Sequence, residues 1–358
     1  MPVSKITLNN FRCFNRLELS LSPRINFFFG KNGSGKTSIL EALYMCSSGK
    51  SFKSSNIAAL VKQNSSGFKI NSYDNLTGHV LDIKKEINKS IEILANNKKT
   101  PISDLIRQRP ATAIHNQTFS FADASPDFRR KLMDRAIFVS DKEFSQTWFS
   151  FYRCLKQRNA LLKQNNPQTK AWDEKLIIFG DKLTTIRKNF HQNTLKELTR
   201  LIEKIKKKDQ IDYLNNIDIN YRKGWDEELS LEETINNNRT NDSARRTTTK
   251  GPHKADIKFS INDIDAKQIL SRGEQKLFSI LWCCAQHRVL KNTHNLEPIL
   301  IIDDIKSELD KTLMSVFINM LEHIENQVIF SCIDDEFSSK IDTKFEDLKK
   351  FHVEQLHQ

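Results

Sequence analysis

The chain has 358 residues, of which 38% are hydrophobic and 28% charged, and its formal net charge at pH 7 is +12. This length exceeds what one compact core usually holds, so it predicts two domains or one large domain with an insertion. The positive charge favours a polyanionic partner, nucleic acid first, although a basic protein without such a partner would have the same composition. No apolar run approaches the roughly 20 residues of a membrane-spanning helix, so a membrane protein is not expected.

The N-terminal segment and the cysteines predict a cytoplasmic protein. The opening MPVSKITLNNFRCF has neither the continuous apolar core nor the small-residue cleavage site of a signal peptide. The six cysteines are scattered and include no CxxC pair. We therefore expect reduced, mostly buried thiols, and neither disulfides nor a zinc site.

Three strand-like segments open the chain: VSKITLNNF, RLELSLS and INFFFG. Directly behind the third, residues 30–37 fit the pattern G-x-x-x-x-G-K-[ST]. An amphipathic helix is predicted to begin near Gly35, with apolar residues at helical spacing: Ile39, Leu40, Leu43 and Tyr44. A strand before the pattern and a helix after it are the context of a phosphate-binding P-loop, so the chain is predicted to bind a nucleoside triphosphate.

Each residue type in this loop has a role in binding phosphate. The three glycines, at positions 30, 33 and 35, let the backbone turn tightly and approach phosphate without an intervening Cβ. Backbone N–H groups and the positive end of the helix then surround the β-phosphate. Lys36 is predicted to reach the β- and γ-phosphates, and the Thr37 hydroxyl to bind Mg²⁺. The predicted ATP-binding segment comprises Gly30, Lys31, Asn32, Gly33, Ser34, Gly35, Lys36, Thr37 and Ser38.

Between Thr37 and Ser271 the chain is longer than a minimal nucleotide-binding core requires, and part of this region is predicted to be helical. Apolar residues at alternating spacings of four and three indicate a coiled-coil seam: Trp172, Leu176, Phe179, Leu183, Ile186 and Phe190, then Leu195, Leu198, Ile202 and Ile205. An earlier helix carries Trp148, Phe151, Leu155 and Leu162, and NNPQ separates the two. We expect a short antiparallel helical pair that forms an arm, with a plain globular helical lobe as the alternative.

Two runs of this insertion, RCLKQRNALLKQ and EKIKKKDQ, are basic. A solvated helix face explains such runs as readily as contact with DNA does. The stretch INNNRTNDSARRTTTKGPHKAD is polar and without periodicity, so it is predicted to be a mobile loop. Within it, Arg245, Arg246 and Lys250 would be available to DNA phosphates.

The sequence LSRGEQKLFSILWCCAQHRVL predicts a helix that opens with Ser271 and directs apolar residues to the core: Leu277, Ile280, Leu281, Cys284 and Ala285. A serine at a helix N-cap with a following glycine offers a hydroxyl, N–H groups and a dipole to an anion. Alone this would be an ordinary N-cap. Its position just upstream of an acidic strand is the order found in ABC-type ATPases, where this signature segment binds the γ-phosphate of ATP held by a second subunit. The assigned residues are Ser271, Arg272, Gly273, Glu274 and Gln275.

The segment ILIIDDIKSELD, residues 299–310, predicts the second half of the same site. Its four aliphatic residues predict a strand buried on both faces that ends in two carboxylates. Asp303 is predicted to hold Mg²⁺, and Asp304 to act as the general base that polarises the attacking water. The sequence SELD matches the D-loop of ABC proteins, which lies across the dimer interface, so Asp310 is assigned to the nucleotide site of a dimer.

These four motifs in this order predict an α/β fold: an ABC-type ATPase head, or P-loop sheet lobe, with an inserted helical lobe bearing a short antiparallel coiled-coil arm. The predicted ATPase lobe comprises residues 1–110 and 255–358, and the inserted lobe comprises residues 111–254. Such a head works as a dimer, because one subunit cannot bring Lys36 and Ser271 to the same nucleotide.

Segments along almost the whole chain resemble the RecF family of bacterial DNA replication and repair ATPases: LNNFRCF, NGSGKTSILEALY, GKSFKS, SPDFRRKLMD, LKQRNALLK, GPHKADIKF, LSRGEQKL and LIIDDIKSELD. The P-loop is generic, whereas FRRKLMD, KQRNALLK and GPHKAD together are specific to this family. The resemblance implies a two-lobed head and an ATP-dependent homodimer that clamps duplex DNA at gaps or junctions. It also implies action with RecR and RecO in loading RecA onto single strands, at the nucleoid.

Some positions depart from the expected pattern. Lys50 and Lys53 stand where the family usually has arginines, so the charge is kept and the bidentate fork is lost. After the last apolar strand, Ser331 or Cys332 replaces the switch histidine of ABC proteins, which RecF proteins generally lack too. Gln117 lies near the position of the Q-loop glutamine. The missing histidine, and an Asp base where transporters usually carry Glu, predict a weak ATPase that DNA stimulates.

Two other classes of protein share an ABC head. A transporter nucleotide-binding subunit would lack the coiled-coil insertion and the strong positive charge, and a membrane pull-down would identify it. A nuclease fused to an ABC head would need a cluster of acidic residues outside the nucleotide site, which the sequence does not offer. Cleavage of DNA in the presence of Mg²⁺ or Mn²⁺ would revive that hypothesis.

Overall fold

The computed structural model describes residues 2–166, 168–206, 211–305, 309–336 and 338–357. Up to residue 120 the elements are β1 (Lys5–Phe11), β2 (Phe14–Ser20), β3 (Ile25–Phe29), α1 (Lys36–Ser48), β4 (Gly67–Asp74), β5 (His79–Glu86), β6 (Glu92–Ala95), β7 (Lys98–Lys99), α2 (Ile102–Gln108), β8 (Ala111–Ile114) and α3 (Asn116–Phe119). Then follow α4 (Pro126–Ser140), α5 (Lys142–Lys163), α6 (Lys170–Lys206), β9 (Asp218–Arg222), α7 (Leu231–Asn237), α8 (Arg239–Arg245), β10 (Asp256–Ile261), β11 (Ile264–Asp265) and α9 (Ala266–Ile269). The last elements are α10 (Arg272–Asn292), β12 (Ile299–Ile302), α11 (Lys311–Leu321), β13 (Val328–Cys332), α12 (Ser338–Asp342) and β14 (Leu348–His352). Among the described helices, none is long and apolar enough to cross a membrane.

The chain divides into two compact units. The first contains the described residues of Met1–Ser120, Leu201–Gln210 and Arg272–Gln358, and the second those of Phe121–Arg200 and Ile211–Ser271. The divisions after residues 120 and 271 fall later in the sequence than the predicted lobe boundaries at residues 110 and 254, and residues 201–206, predicted to lie in the inserted lobe, belong to the first unit. The first division falls later because β8 is a strand of the first unit's sheet, and the second because β10 pairs with β9 inside the second unit.

A parallel sheet forms one layer of the first unit. Five strands of the described chain make it, in the order β14-β3-β13-β12-β8. The strand predicted from the aliphatic run before the two aspartates is confirmed, since all four residues of β12 are buried. It lies between β13 and β8, which cover its two hydrogen-bonding edges, and both of its faces are buried, as expected for parallel strands.

An antiparallel sheet forms a second layer, in the order β2-β1-β4-β5-β6-β7. The predicted strands β1, β2 and β3 and the start of α1 directly after Gly35 are confirmed. The amphipathic character predicted for α1 is not observed, because nearly all of its residues are buried. The helix lies between the two sheets, and one hydrophobic core joins it to β1, β2, β4 and β5 on one side and to β12 and β13 on the other.

The buried stripe of α6 in the second unit follows the predicted spacing with a different set of residues. Leu176, Leu183 and Phe190 are buried as predicted, whereas Trp172, Phe179 and Ile186 are only partly buried. Their places in the stripe are taken by Asp173, Gly180 and Arg187, which are all buried. Two of these residues form buried ion pairs, so a search for apolar residues alone selects the neighbouring positions.

Helices α5 and α6 run antiparallel, as predicted. Lys182 pairs with Glu143 at 3.0 Å near one end, and Arg158 pairs with Asp173 at 2.6 Å near the other. The stripe of α6 also contacts other parts of this unit, since a Cβ on Gly180 would meet Leu231 and Pro252. The helical pair is therefore packed within a larger helical unit. Arg158, which the sequence placed on a basic exposed face, is instead 0% exposed.

The prediction of a loop over residues 235–256 is wrong for much of its length. Helices α7 and α8 form there. Ser230 and Glu233 make a reciprocal capping box at the start of α7. In α8, the buried Asp242 accepts hydrogen bonds from Arg158 at 2.7 Å and from Thr249 N–H at 2.9 Å. Capping and a distant arginine order this polar segment, and neither produces hydrophobic periodicity.

Candidate nucleotide-binding site

The predicted site residues of the P-loop and the acidic strand meet at the carboxyl edge of the parallel sheet. The P-loop follows β3, the two aspartates follow β12, and Gln117 follows β8 closely. The neighbouring β13 contributes Ser331 from its last residues, and the segment after β14 contributes Glu354. In open α/β sheets, ligands bind at this edge.

The P-loop has the glycine-dependent backbone that its sequence predicts. Gly33 and Gly35 have φ values of 82° and 103°, a region that residues with a Cβ rarely adopt. At Gly35 a Cβ would also lie 2.7 Å from the Phe14 ring, so this glycine is required by packing as well as by phosphate approach. Lys36 as a residue is 7% exposed, and its ammonium donates to Gly30 O at 2.6 Å and to Lys31 O at 2.9 Å.

Thr37 and Asp303 lie in direct contact, as a shared metal site requires. The Thr37 hydroxyl is 3.0 and 3.1 Å from the two carboxylate oxygens of Asp303. Burial raises the pKa of Asp303, while hydrogen bonds from Ser331 and Thr37 oppose the rise. A hydroxyl and a carboxylate are hard oxygen ligands, so these residues fit Mg²⁺ and would hold it. The described residues contain no group of three or more His, Cys, Asp or Glu placed for a metal, so phosphates and water would complete its coordination.

Ser331 links the two aspartates. Its hydroxyl donates to Asp303 Oδ1 at 2.9 Å and accepts from the N–H of Asp304 at 2.8 Å. Asp304 has a left-handed backbone, with φ of 54°, which this N–H contact stabilises. Of the two residues considered for the switch-histidine position, Ser331 is therefore the one that contacts both acids, and it is 0% exposed.

A cavity of about 490 Å³ opens beside the P-loop. It is lined by Arg12, Cys13, Asn32, Gly33, Gly35, Lys36, Thr37, Ser38, Lys53, Ala59, Val61 and Asp304. Arg12 is held there by a bidentate pair with Glu41, both nitrogen–oxygen distances being 2.9 Å. Its Nη1 also donates to Ala59 O at 3.2 Å. The sequence singled out LNNFRCF without assigning Arg12 a role, because its partner lies on α1.

A second cavity, of about 290 Å³, places Gln117 near both aspartates. It is lined by Thr37, Phe52, Lys53, His115, Asn116, Gln117, Asp303 and Asp304. The register explains the proximity, because Ile114 of β8 pairs with Ile302 of β12. His115 also faces this cavity; its ring stacks on Phe52 at 5.2 Å, and burial lowers its pKa. Sequence reasoning missed His115, although it follows directly after a strand of the site.

The signature residues open a helix as predicted. Ser271 directly precedes α10, which starts at Arg272, and the five predicted core residues of this helix are buried. None of residues 272–275 lines either of these two cavities in the same chain. Asp310 caps α11 by accepting the N–H of Leu313 at 2.8 Å. Of the other D-loop residues, Leu309 is buried, and residues 307 and 308 lie outside the described residues.

Comparison with known proteins identifies the family. A match to the family described as RecF/RecN/SMC N terminal domain extends over residues 2–353. The chain belongs to this family, in its RecF branch. The DNA replication and repair protein RecF of Pseudoalteromonas translucida is 30% identical over 99% of this chain and 98% of its own length. That of Shewanella frigidimarina is 31% identical with the same coverage.

Solved structures similar to this RecF-family chain agree with the predicted fold. The recombination mediator protein RecF with ATP, of the RecFOR pathway, has a TM-score of 0.78 at 22% identity and covers 99% of this chain and 96% of its own. An Smc head bound to the C-winged helix domain of ScpA has a TM-score of 0.57 at 13% identity, covering 98% and 94%. The fold is thus that of an ABC-type ATPase head.

Proposed function

We propose that this chain is an ATP-dependent DNA-binding protein of recombinational repair and replication restart. The contact of Thr37 with Asp303, beside the buried ammonium of Lys36, carries this proposal, because it is the arrangement that binds a nucleotide phosphate with Mg²⁺. Membership of the RecF family and a net charge of +12 support DNA as the partner.

Each residue of the site has a separate role in ATP hydrolysis. Lys36 and the P-loop N–H groups bind the phosphates, and Thr37 and Asp303 would hold Mg²⁺, which would supply positive charge to the phosphates. Asp304 accepts the proton of the attacking water as general base. Ser331 orients the Asp303 carboxylate and the Asp304 backbone, and Gln117 faces the cavity in which that water would lie.

ATP drives the formation of a homodimer. Ser271 and the residues up to Gln275 bind the γ-phosphate of the nucleotide in the partner, and Asp310 lies across the same interface. Two features support this step: residues 272–275 line neither nucleotide cavity of their own chain, and they begin a helix whose positive end suits an anion.

The ATP-bound dimer clamps duplex DNA at gaps or junctions, and slow hydrolysis, stimulated by DNA, releases it. With RecR and RecO the protein promotes loading of RecA onto single-stranded DNA, in the cytoplasm at the nucleoid. A structure similar to this chain is described as RecF of the RecFOR pathway, which supports these partners. The Asp304 side chain, one methylene shorter than Glu, supports the slow turnover.

Sedimentation of the protein with ATP, with ADP, and with ATP plus gapped duplex tests the proposal. We expect a dimer only with ATP, and a larger DNA complex with ATP and gapped duplex. Lys36→Ala should abolish both, because the ammonium that binds the phosphates is lost. Lys340→Ala, an exposed lysine outside both cavities, serves as the control and should behave as the wild type. Dimerisation and DNA binding that persist in Lys36→Ala would contradict the proposal.

A further inference from the structure

A carboxylate from the C-terminal segment contacts the first turn of the P-loop. Glu354 Oε1 accepts a hydrogen bond from the N–H of Lys31 at 2.7 Å. The pairing of β14 with β3 explains how residues so distant in sequence meet. These strands are parallel, with His352 opposite Phe29, so the segments that follow them leave the sheet side by side.

The contact fixes one particular peptide unit. The carbonyl of Gly30 and the N–H of Lys31 belong to the same trans peptide and point in opposite directions. The carbonyl accepts from the Lys36 ammonium at 2.6 Å, and the N–H donates to Glu354 at 2.7 Å. A cation at the carbonyl end and an anion at the N–H end both stabilise the orientation of the peptide dipole.

Gly30 makes room for this carboxylate. A Cβ at that position would overlap with Glu354 Oε2, so the absence of a side chain serves Glu354 as well as phosphate. Oε2 also lies 3.1 Å from Nε2 of His352, whose ring stacks on Phe29 with centroids 5.1 Å apart. The N–H of Lys31 holds the pKa of Glu354 below its usual value, so the carboxylate is ionised at neutral pH.

We propose that Glu354 is a positioning residue for nucleotide binding, which fixes the Gly30–Lys31 peptide and, through it, the ammonium of Lys36. This inference rests on the proposed function of the P-loop as the ATP site. Without Glu354 the peptide can rotate, so the carbonyl that holds Lys36 has no fixed direction. The acceptor and its position matter here more than the negative charge, since the contact is made to a backbone N–H.

Titration with a fluorescent ATP analogue, well below the melting temperature of each variant, tests this role. We expect Glu354→Ala to weaken binding about tenfold, which corresponds to the loss of one hydrogen bond to a charged group. Glu354→Gln should stay within about threefold of the wild type, because the amide oxygen can still accept from Lys31 N–H. Glu354→Asp should bind as weakly as Glu354→Ala, because its carboxylate falls one methylene short.

Glu346→Ala removes an exposed carboxylate close to β14 and serves as the matched control, with binding equal to the wild type. Equal or tighter binding by Glu354→Ala would overturn the proposal, since the carboxylate would then be neutral or repel phosphate. Weaker binding by Glu354→Gln than by Glu354→Asp would also overturn it, because charge rather than position would matter. Failure of the wild type to bind the analogue would instead contradict the proposed function.

Discussion

At the scale of single residues, the hydroxyl of Ser331 makes two contacts near the position of the switch histidine of ABC proteins. It is fully buried, donates to the carboxylate of Asp303 and accepts from the backbone of Asp304. The first contact orients the Asp303 carboxylate, and the second holds the Asp304 backbone in its left-handed conformation. A chain without a switch histidine therefore still links its two acids through the neighbouring strand.

Ser331→Ala should reduce ATP turnover about tenfold while ATP binding changes little. The substitution removes the hydroxyl that orients both aspartates, but it leaves Lys36 and Thr37 in place. It also removes the hydroxyl that accepts the Asp304 N–H and one of the two hydroxyls that donate to Asp303 Oδ1, so we expect the free energy of unfolding to fall by about 1–3 kcal/mol. Single-turnover hydrolysis and urea denaturation measure the two effects separately.

Ser22→Ala provides the matched control for Ser331→Ala. Ser22 is also a buried serine that uses both functions of its hydroxyl, accepting from Arg24 N–H at 3.0 Å and donating to Asp347 O at 2.6 Å. It lies outside the residues that line the two cavities. We expect it to lose stability without losing turnover. An equal loss of turnover in both variants would show that Ser331 acts through stability alone.

At the scale of elements, the segments that most resemble the RecF family provide buried ion pairs of the second unit. Arg129 of FRRKLMD pairs with Asp256 of GPHKAD at 2.8 Å. Arg158 of KQRNALLK joins α5 to Asp173 of α6 and to Asp242 of α8. Buried charges are tolerated only with such partners, so removing either member of a pair leaves the charge of the other uncompensated.

Asp242→Ala should lower the free energy of unfolding of the second unit by about 3–5 kcal/mol, which is the usual cost of removing one member of a buried ion pair. Urea denaturation measures this change, and hydrogen exchange should show the largest loss of protection in α7 and α8. The control is Lys182→Ala, which breaks the exposed pair with Glu143 between α5 and α6 (53% and 73% exposed) and should cost less than about 1 kcal/mol. Similar losses in both variants would contradict a special role for the buried pair.

The sequence predicts best the elements whose signal is local. The strands β1, β2, β3 and β12, the P-loop and α10 follow from runs of apolar residues, helical spacing and short motifs. The polar members of the α6 stripe could not be predicted in this way, because Asp173 and Arg187 are buried by partners distant in sequence. Glu354 is the extreme case, since 323 positions separate it from Lys31 and only strand pairing brings the two together.

At the scale of the whole molecule, the nucleotide site of one chain lacks the contribution of the signature segment. Residues 272–275 open α10 but line neither cavity, whereas the P-loop, Asp303 and Asp304 line them. A second copy of the chain would supply the missing donors. In the proposed function, ATP binding by one chain and closure of the dimer are separate steps from hydrolysis, so a variant can complete the first two and fail in the third.

Asp304→Asn is such a variant. It removes the proposed base but keeps the side-chain size, the backbone N–H to Ser331 and all residues assigned to phosphate and Mg²⁺. We expect ATP binding and ATP-dependent dimerisation to be unchanged. Hydrolysis should fall at least about 100-fold, as for loss of a general base. The dimer should then persist on gapped DNA after free ATP is removed. Sedimentation and phosphate release measure these outcomes, with Lys36→Ala as the variant that fails at the first step. Rapid release of Asp304→Asn from DNA would show that hydrolysis does not open the clamp.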